Sequence, residues 1–162
     1  MALSPVQSLP ILSIQEKHFS LKLHPYQDRL KMDMDLLTSH MTTTFYPETS
    51  AILSKELPSI FLGHCYNDAG LPFAVEVRST EIAHLFEHIF LAYLHRQKIT
   101  SSNSNFNLRG VTTWRESIRG SYSIEVNIGS DDGELVTLAI KQSMKLLNTI
   151  IKSSSPTKQI AN

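Results

Sequence analysis

The sequence predicts an α+β fold, a two-layer sandwich with helices packed on one face of a mixed or antiparallel sheet. Several short segments alternate apolar and polar residues, which is typical of strands with one buried face. Two longer segments repeat apolar residues at helical spacing instead. The strands follow one another through hairpin-like connections, and no heptad pattern persists that would favour a coiled coil.

The first predicted elements are a hairpin and a short helix. Apolar residues alternate with polar ones on both sides of a polar turn at 24–28. These residues are Phe19, Leu21, Leu23, Leu30, Met32, Met34 and Leu36. Residues 46–57 then place apolar side chains at helical spacing, and Pro58 follows, where a helix ends.

The middle of the chain contains a predicted strand and the clearest predicted helix. Phe73, Val75 and Val77 alternate with other residues, which predicts a strand over 72–78. Residues 82–98 contain neither glycine nor proline and follow Thr80, a residue type that caps helices. Residues 100–107 are nearly all Ser, Asn and Thr, so we expect an exposed, mobile loop there.

Two strands and a long helix complete the predicted elements. The strands are expected at 108–114 and 121–128, and a glycine-containing turn at 129–133 ends the second. Asp131 and Glu134 have the spacing of a capping box at the start of the helix. An apolar stripe then follows the helix, formed by Val136, Ile140, Leu147 and Ile151.

The composition is that of an ordinary single globular domain. The 162 residues are 41% hydrophobic, and 15 basic residues balance 15 acidic ones, which argues against nucleic acid or a membrane as partner. A single cysteine cannot form an internal disulfide, and residues 1–12 lack the pattern of a secretory signal, so we expect a cytoplasmic protein. Residues 1–17 are expected to be an extension, 18–152 the domain, and 153–162 a flexible tail.

The pattern His84-x-x-Glu87-His88 lies in the clearest predicted helix. One helical turn separates the two histidines, so both imidazoles project from the same face and can bind one metal ion. Glu87 lies beside that face, where it can take a proton from metal-bound water. This order of residues is that of the inverted zincins, which hydrolyse peptide bonds.

A catalytic zinc ion needs a third protein ligand and one open position. Glu116, Glu125 and Glu134 all lie downstream, and their spacing does not single one out. The alternative interpretation of the pattern is a polar helix edge that binds no metal.

Other residues have both a structural and a functional interpretation. His64 either adds a ligand or substrate contact, or hydrogen-bonds within its own loop. Cys65 is expected to pack rather than to act as a nucleophile. The arginines near Trp114 either pair with the carboxylates of a peptide or form a solvated strand edge. These arginines are Arg109, Arg115 and Arg119.

A set of short motifs extends over most of the chain. They are Met32-Asp33-Met34-Asp35-Leu36, Leu57-Pro58-Ser59, Gly63-His64-Cys65-Tyr66, Phe73-Ala74-Val75-Glu76-Val77-Arg78, Ala83-His84-Leu85-Phe86-Glu87-His88, Gly110-Val111-Thr112 and Gly120-Ser121-Tyr122. In order and spacing, the segment 32–151 resembles the amino-terminal domain of cyanophycin synthetases. These enzymes build a polymer of aspartate that bears arginine on its side chains.

The resemblance implies a function without ATP, because the ligase chemistry of the synthetases lies in later domains. It also implies that His84 and His88 bind zinc, with Glu87 as general base, as in the pitrilysin group. Such enzymes hold peptide as an added strand on a sheet edge, for which residues 108–113 are the candidate. Their third ligand is a glutamate on a later helix. Here, either Glu116, Glu125 or Glu134 replaces it, a partner subunit supplies the ligand, or the site binds metal weakly.

The sequence therefore predicts a zinc-dependent hydrolase acting on cyanophycin or a related peptide. Glu125 or Glu116 is expected to complete the shell of His84 and His88. The candidate substrate contacts are Arg109, Thr112, Trp114 and Arg115. The alternatives are a non-catalytic module that binds the polymer, a synthetase or a second copy of itself, and a purely structural domain.

Overall fold

The computed structural model describes Leu9 and residues 13–101 and 108–154. These residues form the predicted two-layer α+β arrangement. The strands are β1 (Ser13–Gln15), β2 (Phe19–Pro25), β3 (Arg29–Leu36), β4 (Gly110–Trp114) and β5 (Ser121–Asn127). The helices are α1 (Thr49–Glu56), α2 (Phe73–Glu76), α3 (Ile82–Ser101) and α4 (Gly133–Ser153), with 3-10 turns at Thr43–Phe45 and Pro58–Leu62.

The five strands form one antiparallel sheet in the order β1-β2-β3-β5-β4. The predicted hairpin of β2 and β3 is confirmed, with Leu21 opposite Met34. Met32 in turn lies opposite Ile124 of β5, which lies opposite Thr112 of β4. Because strand side chains alternate between faces, this register buries one face of the sheet and leaves the other to solvent.

Helix α3 packs against both β4 and β5 of the sheet and against α4. Its first three turns are buried on nearly every side, and Phe86 and Phe90 are fully enclosed. α4 is amphipathic instead, and its predicted stripe from Val136 to Ile151 is buried. None of the described helices is long and apolar enough to cross a membrane.

Residues 72–78 differ from the predicted strand, because Phe73–Glu76 form the short helix α2. Phe73 and Val77 are both buried, whereas Val75 is 46% exposed. A spacing of four residues places Phe73 and Val77 on one side of a helical turn, so the same apolar residues fit either structure. The strand prediction was wrong because three alternating residues cannot distinguish the two.

Several predicted boundaries also differ from the structure. β1 lies inside the segment predicted as an extension, so Ser13–Gln15 belong to the sheet. Thr100 and Ser101, predicted to lie in a loop over 100–107, belong to α3. The other residues of that predicted loop, 102–107, lie outside the described ones. The tail beyond position 154 also lies outside them.

The turn before α4 is held by Asp132 rather than by the predicted capping box of Asp131 and Glu134. Asp132 occupies the N-cap position, but its side chain makes no capping hydrogen bond to the helix. Its carboxylate instead accepts a hydrogen bond from the Gly129 backbone N–H at 2.9 Å. The same carboxylate forms an ion pair with Lys98 of α3. Both charged side chains are largely buried, so this contact joins the two long helices.

Asp132→Ala should lower the free energy of unfolding by about 2 kcal/mol. The substitution removes the carboxylate that pairs with the Lys98 ammonium group and accepts the hydrogen bond of the Gly129 N–H. Chemical denaturation monitored by circular dichroism measures the change. Asp131→Ala is the matched control, since Asp131 is exposed, and it should change stability by less than about 0.5 kcal/mol. Equal stability of the two variants would contradict a structural role for the ion pair.

Candidate metal centre

The first turns of α3 bring His84 and His88 together, as the sequence predicts. Their Nε2 atoms are 3.2 Å apart, and the ring planes meet at 72°. The spacing of four residues produces this approach, because residues one turn apart lie on the same side of a helix. Two neutral imidazole nitrogens at this separation can both direct lone pairs at one ion.

His84 is oriented by the residue that precedes α3. Thr80 Oγ1 lies 2.9 Å from His84 Nδ1, which assigns Nδ1 to a hydrogen bond and leaves Nε2 facing His88. A hydrogen bond at one ring nitrogen is the usual way in which a metal-binding histidine is held in position. Burial lowers the pKa of His84, and the nearby Glu76 partly opposes this effect.

His88 is enclosed more deeply, and its ring stacks on Phe73 of α2. The two ring centroids are 4.0 Å apart and the planes are nearly parallel, at 16°. Burial, together with the neighbouring His84, lowers the pKa of His88 to about 3. The imidazole is therefore neutral at physiological pH, which is the form that binds metal.

Glu87 points to the strand β4, and two features of that strand fit its carboxylate. Thr112 Oγ1 donates a hydrogen bond to Glu87 Oε2 at 2.5 Å. A Cβ at Gly110 would lie only 2.8 Å from Glu87 Cδ and Oε1, so the carboxylate occupies space that any other residue would fill. Glu87 is 5% exposed, and burial raises its pKa to about 7 even though the Thr112 hydrogen bond opposes the shift.

Cys65 lies next to the histidines, in the segment between the 3-10 turn Pro58–Leu62 and α2. Its Sγ is 3.7 Å from His84 Nε2, and the side chain also packs against the core, as predicted. Asn67 donates a hydrogen bond to Sγ at 3.4 Å. Burial raises the pKa of the thiol, and the charges of Glu76 and Glu87 add to this effect.

These side chains form a group in which one ion could be held. The ligand atoms of Cys65, His84 and His88 all lie within 4.8 Å of one another. Among the described residues, neither Glu116 nor Glu125 belongs to this group. The expected carboxylate ligand is thus not at the histidines, and a thiol is there instead.

The positions of the predicted carboxylate ligands explain this difference. Glu125 alternates with the buried Ile124 and Val126 on β5, so it lies on the solvent face of the sheet, away from α3. Glu116 is exposed in the turn between β4 and β5, and Glu134 is exposed in the first turn of α4. Spacing along the chain could not separate these glutamates, because it does not give the sheet order.

The histidines and Glu87 line a cleft of about 1270 Å³ between the segment 59–69, α3 and β4. Arg109 and Thr112, two of the predicted substrate contacts, also line it, whereas Trp114 and Arg115 lie further along β4 and in the turn that follows. Trp114 is 57% exposed. His64 is exposed and lines the cleft beside Cys65.

Comparisons with known proteins leave the family open. No protein-family model matches the chain, and no curated protein matches it.

Proposed function

We propose that this protein is a zinc-dependent hydrolase that cleaves peptide bonds, with cyanophycin or a related peptide as substrate. The observation that supports this most strongly is the pair of imidazoles, His84 partly buried and His88 buried, with Nε2 atoms 3.2 Å apart in the same cleft as the carboxylate of Glu87. Two nitrogens bound to one tetrahedral zinc ion at ordinary bond lengths lie about 3.3 Å apart. The separation of the two nitrogens therefore matches that of two ligands of one zinc ion.

In this proposal His84 and His88 bind the metal and Glu87 handles the proton. When bound, a zinc ion supplies Lewis acidity, which polarises a carbonyl oxygen and lowers the pKa of a water ligand. Glu87 accepts a proton from the attacking water on its carboxylate and returns it to the leaving amine as the C–N bond breaks. The hydrogen bond from Thr112 holds that carboxylate in position, and the absence of a side chain at Gly110 leaves room for it.

The edge of the sheet offers a place for an extended peptide. β4 is the last strand in the sheet order, so its outer backbone groups are not paired with another described strand. A substrate that adds to this edge as a further strand passes beside Glu87, which contacts the same β4. Arg109, Trp114 and Arg115 on or near this edge are the proposed contacts for the free carboxylates of the substrate.

The cleft also contains acidic residues, which suit the arginine side groups of the polymer. Asp68, Glu76 and Glu81 line the cleft together with Glu87. Carboxylates pair well with guanidinium groups, which the arginine side chains of cyanophycin provide. The acidic cleft wall and the arginines near β4 together favour a substrate that bears both charges.

The direct test compares zinc-loaded protein with protein freed of metal by chelation. Each is incubated with cyanophycin and with an unfolded polypeptide, and new amino termini are identified by mass spectrometry. We expect cleavage only by the zinc-loaded form. Protein that contains one zinc ion and cleaves neither substrate would overturn the proposal, and retention of cyanophycin by such protein in a sedimentation assay would favour the binding module.

Thr112→Val should lower kcat about tenfold with little change in zinc affinity, because it removes the hydrogen bond that positions Glu87 while keeping the side chain's size. Cleavage kinetics and a zinc competition assay measure the two quantities. Thr113→Val is the matched control, since Thr113 is exposed on the opposite face of the same strand. A similar loss of kcat in both variants would mean that β4 is merely disturbed.

A further inference from the structure

We infer that Cys65 is the third protein ligand of this site, so that one sulfur and two imidazole nitrogens hold the ion. The inference deepens the proposed function and rests on metal binding by His84 and His88. The position of the sulfur is its first support, since Sγ lies 3.7 Å from His84 Nε2. A thiolate and an imidazole on one tetrahedral zinc ion have their donor atoms about 3.6 Å apart.

The separations of the three donor atoms are close to those of three ligands of one tetrahedral zinc ion. The two contacts of His84 already have the separations that a zinc ion requires. On the remaining side, the ligand atoms of Cys65 and His88 lie within 4.8 Å of each other. Closing this last side to about 3.6 Å needs a shift of the thiol by roughly 1 Å. Cys65 lies in a segment of irregular backbone whose flanking residues His64 and Tyr66 are exposed, so the chain can make this adjustment.

The segment that contains Cys65 is nevertheless organised around its thiol. The Asn67 side chain accepts a hydrogen bond from the Leu71 N–H at 2.9 Å and donates one to the Leu71 carbonyl at 2.7 Å. The same amide group donates to Cys65 Sγ. This hydrogen bond holds the sulfur in position beside the imidazole of His84.

A sulfur ligand determines which ions the site prefers. Thiolates and imidazoles favour zinc and cobalt over magnesium, calcium and manganese, which prefer oxygen ligands. Three protein ligands would also leave a fourth tetrahedral position for water or substrate, as catalytic zinc sites require. The shell is then complete without a carboxylate from Glu116 or Glu125.

Cobalt(II) titration of the full-length, metal-free protein tests the inference without relying on activity. Thiolate ligation of cobalt gives a charge-transfer band in the near ultraviolet, whereas imidazole ligation alone gives only the weaker visible bands. We expect both sets of bands with one equivalent of cobalt. Cys65→Ser should abolish the charge-transfer band and weaken zinc binding about 100-fold in a competition assay.

Tyr66→Phe is the matched control, because it changes the exposed neighbouring residue of the same segment and should keep the band. Visible bands without the charge-transfer band in the unchanged protein would overturn the role of Cys65 while leaving the histidine site intact. The absence of all cobalt bands would overturn the inference and the proposed function together. Zinc affinity that is equal in Cys65→Ser and the unchanged protein would also reject the sulfur ligand.

Discussion

Glu87→Gln should abolish peptide cleavage while the protein still binds one zinc ion. The amide keeps the size of the side chain and can still accept the hydrogen bond from Thr112, but it cannot take a proton from water. Loss of a general base lowers kcat by about 10³-fold. Cleavage kinetics of the zinc-loaded variant, together with metal analysis of the same sample, measure both halves of this result.

A suitable control is Glu48→Gln, the same substitution at an exposed residue directly before α1. Glu48 does not line the cleft, so this variant should cleave at the normal rate. The loss of a general base lowers kcat by more than about tenfold. If the kcat of Glu87→Gln stayed within about tenfold of that of the unchanged protein, Glu87 would not be the general base. The metal site itself would be unaffected by that outcome.

His88→Ala should weaken zinc binding by about 10³-fold or more, because it removes one of few ligands and opens the shell to water. Cleavage should fall to the level of metal-free protein. Since His88 also stacks on Phe73, the variant should lose some stability, and circular dichroism must first establish that it is folded. Isothermal calorimetry with zinc then measures the affinity of the folded protein.

His95→Ala provides the comparison for this variant. His95 is exposed on the same helix, two turns beyond His88, and it lies at the same cleft. Zinc affinity should be unchanged by its substitution. If His95→Ala weakened zinc binding as much as His88→Ala, the ion would be held in the cleft by a different set of histidines.

The sequence predicts best those elements in which a regular apolar pattern continues over many residues and the apolar residues of that pattern are buried. The β2 and β3 hairpin and the stripe of α4 are examples, because each repeats its period over many residues. The pair of His84 and His88 belongs to the same class, since a helix fixes the relation of residues one turn apart. Such local geometry needs no knowledge of the tertiary fold.

The remaining features depend on contacts between distant segments. Cys65 lies 19 positions before His84 in the chain, and only the packing of its loop on α3 brings the sulfur to the imidazole. Gly110 and Thr112 similarly contact Glu87 because the sheet order places β4 beside α3. The motifs around Cys65 and Gly110 drew attention to these residues, but no spacing rule could assign their partners.

The burial of α3 links the site to the unfolding of the whole domain. The amides of residues 84–88 lie in a helix that packs against the sheet and against α4, so we expect them to exchange with solvent when the helix leaves the core. Hydrogen exchange at these positions should therefore report global opening. A metal ion bound there would slow exchange throughout the sheet and both long helices, well beyond its own neighbours.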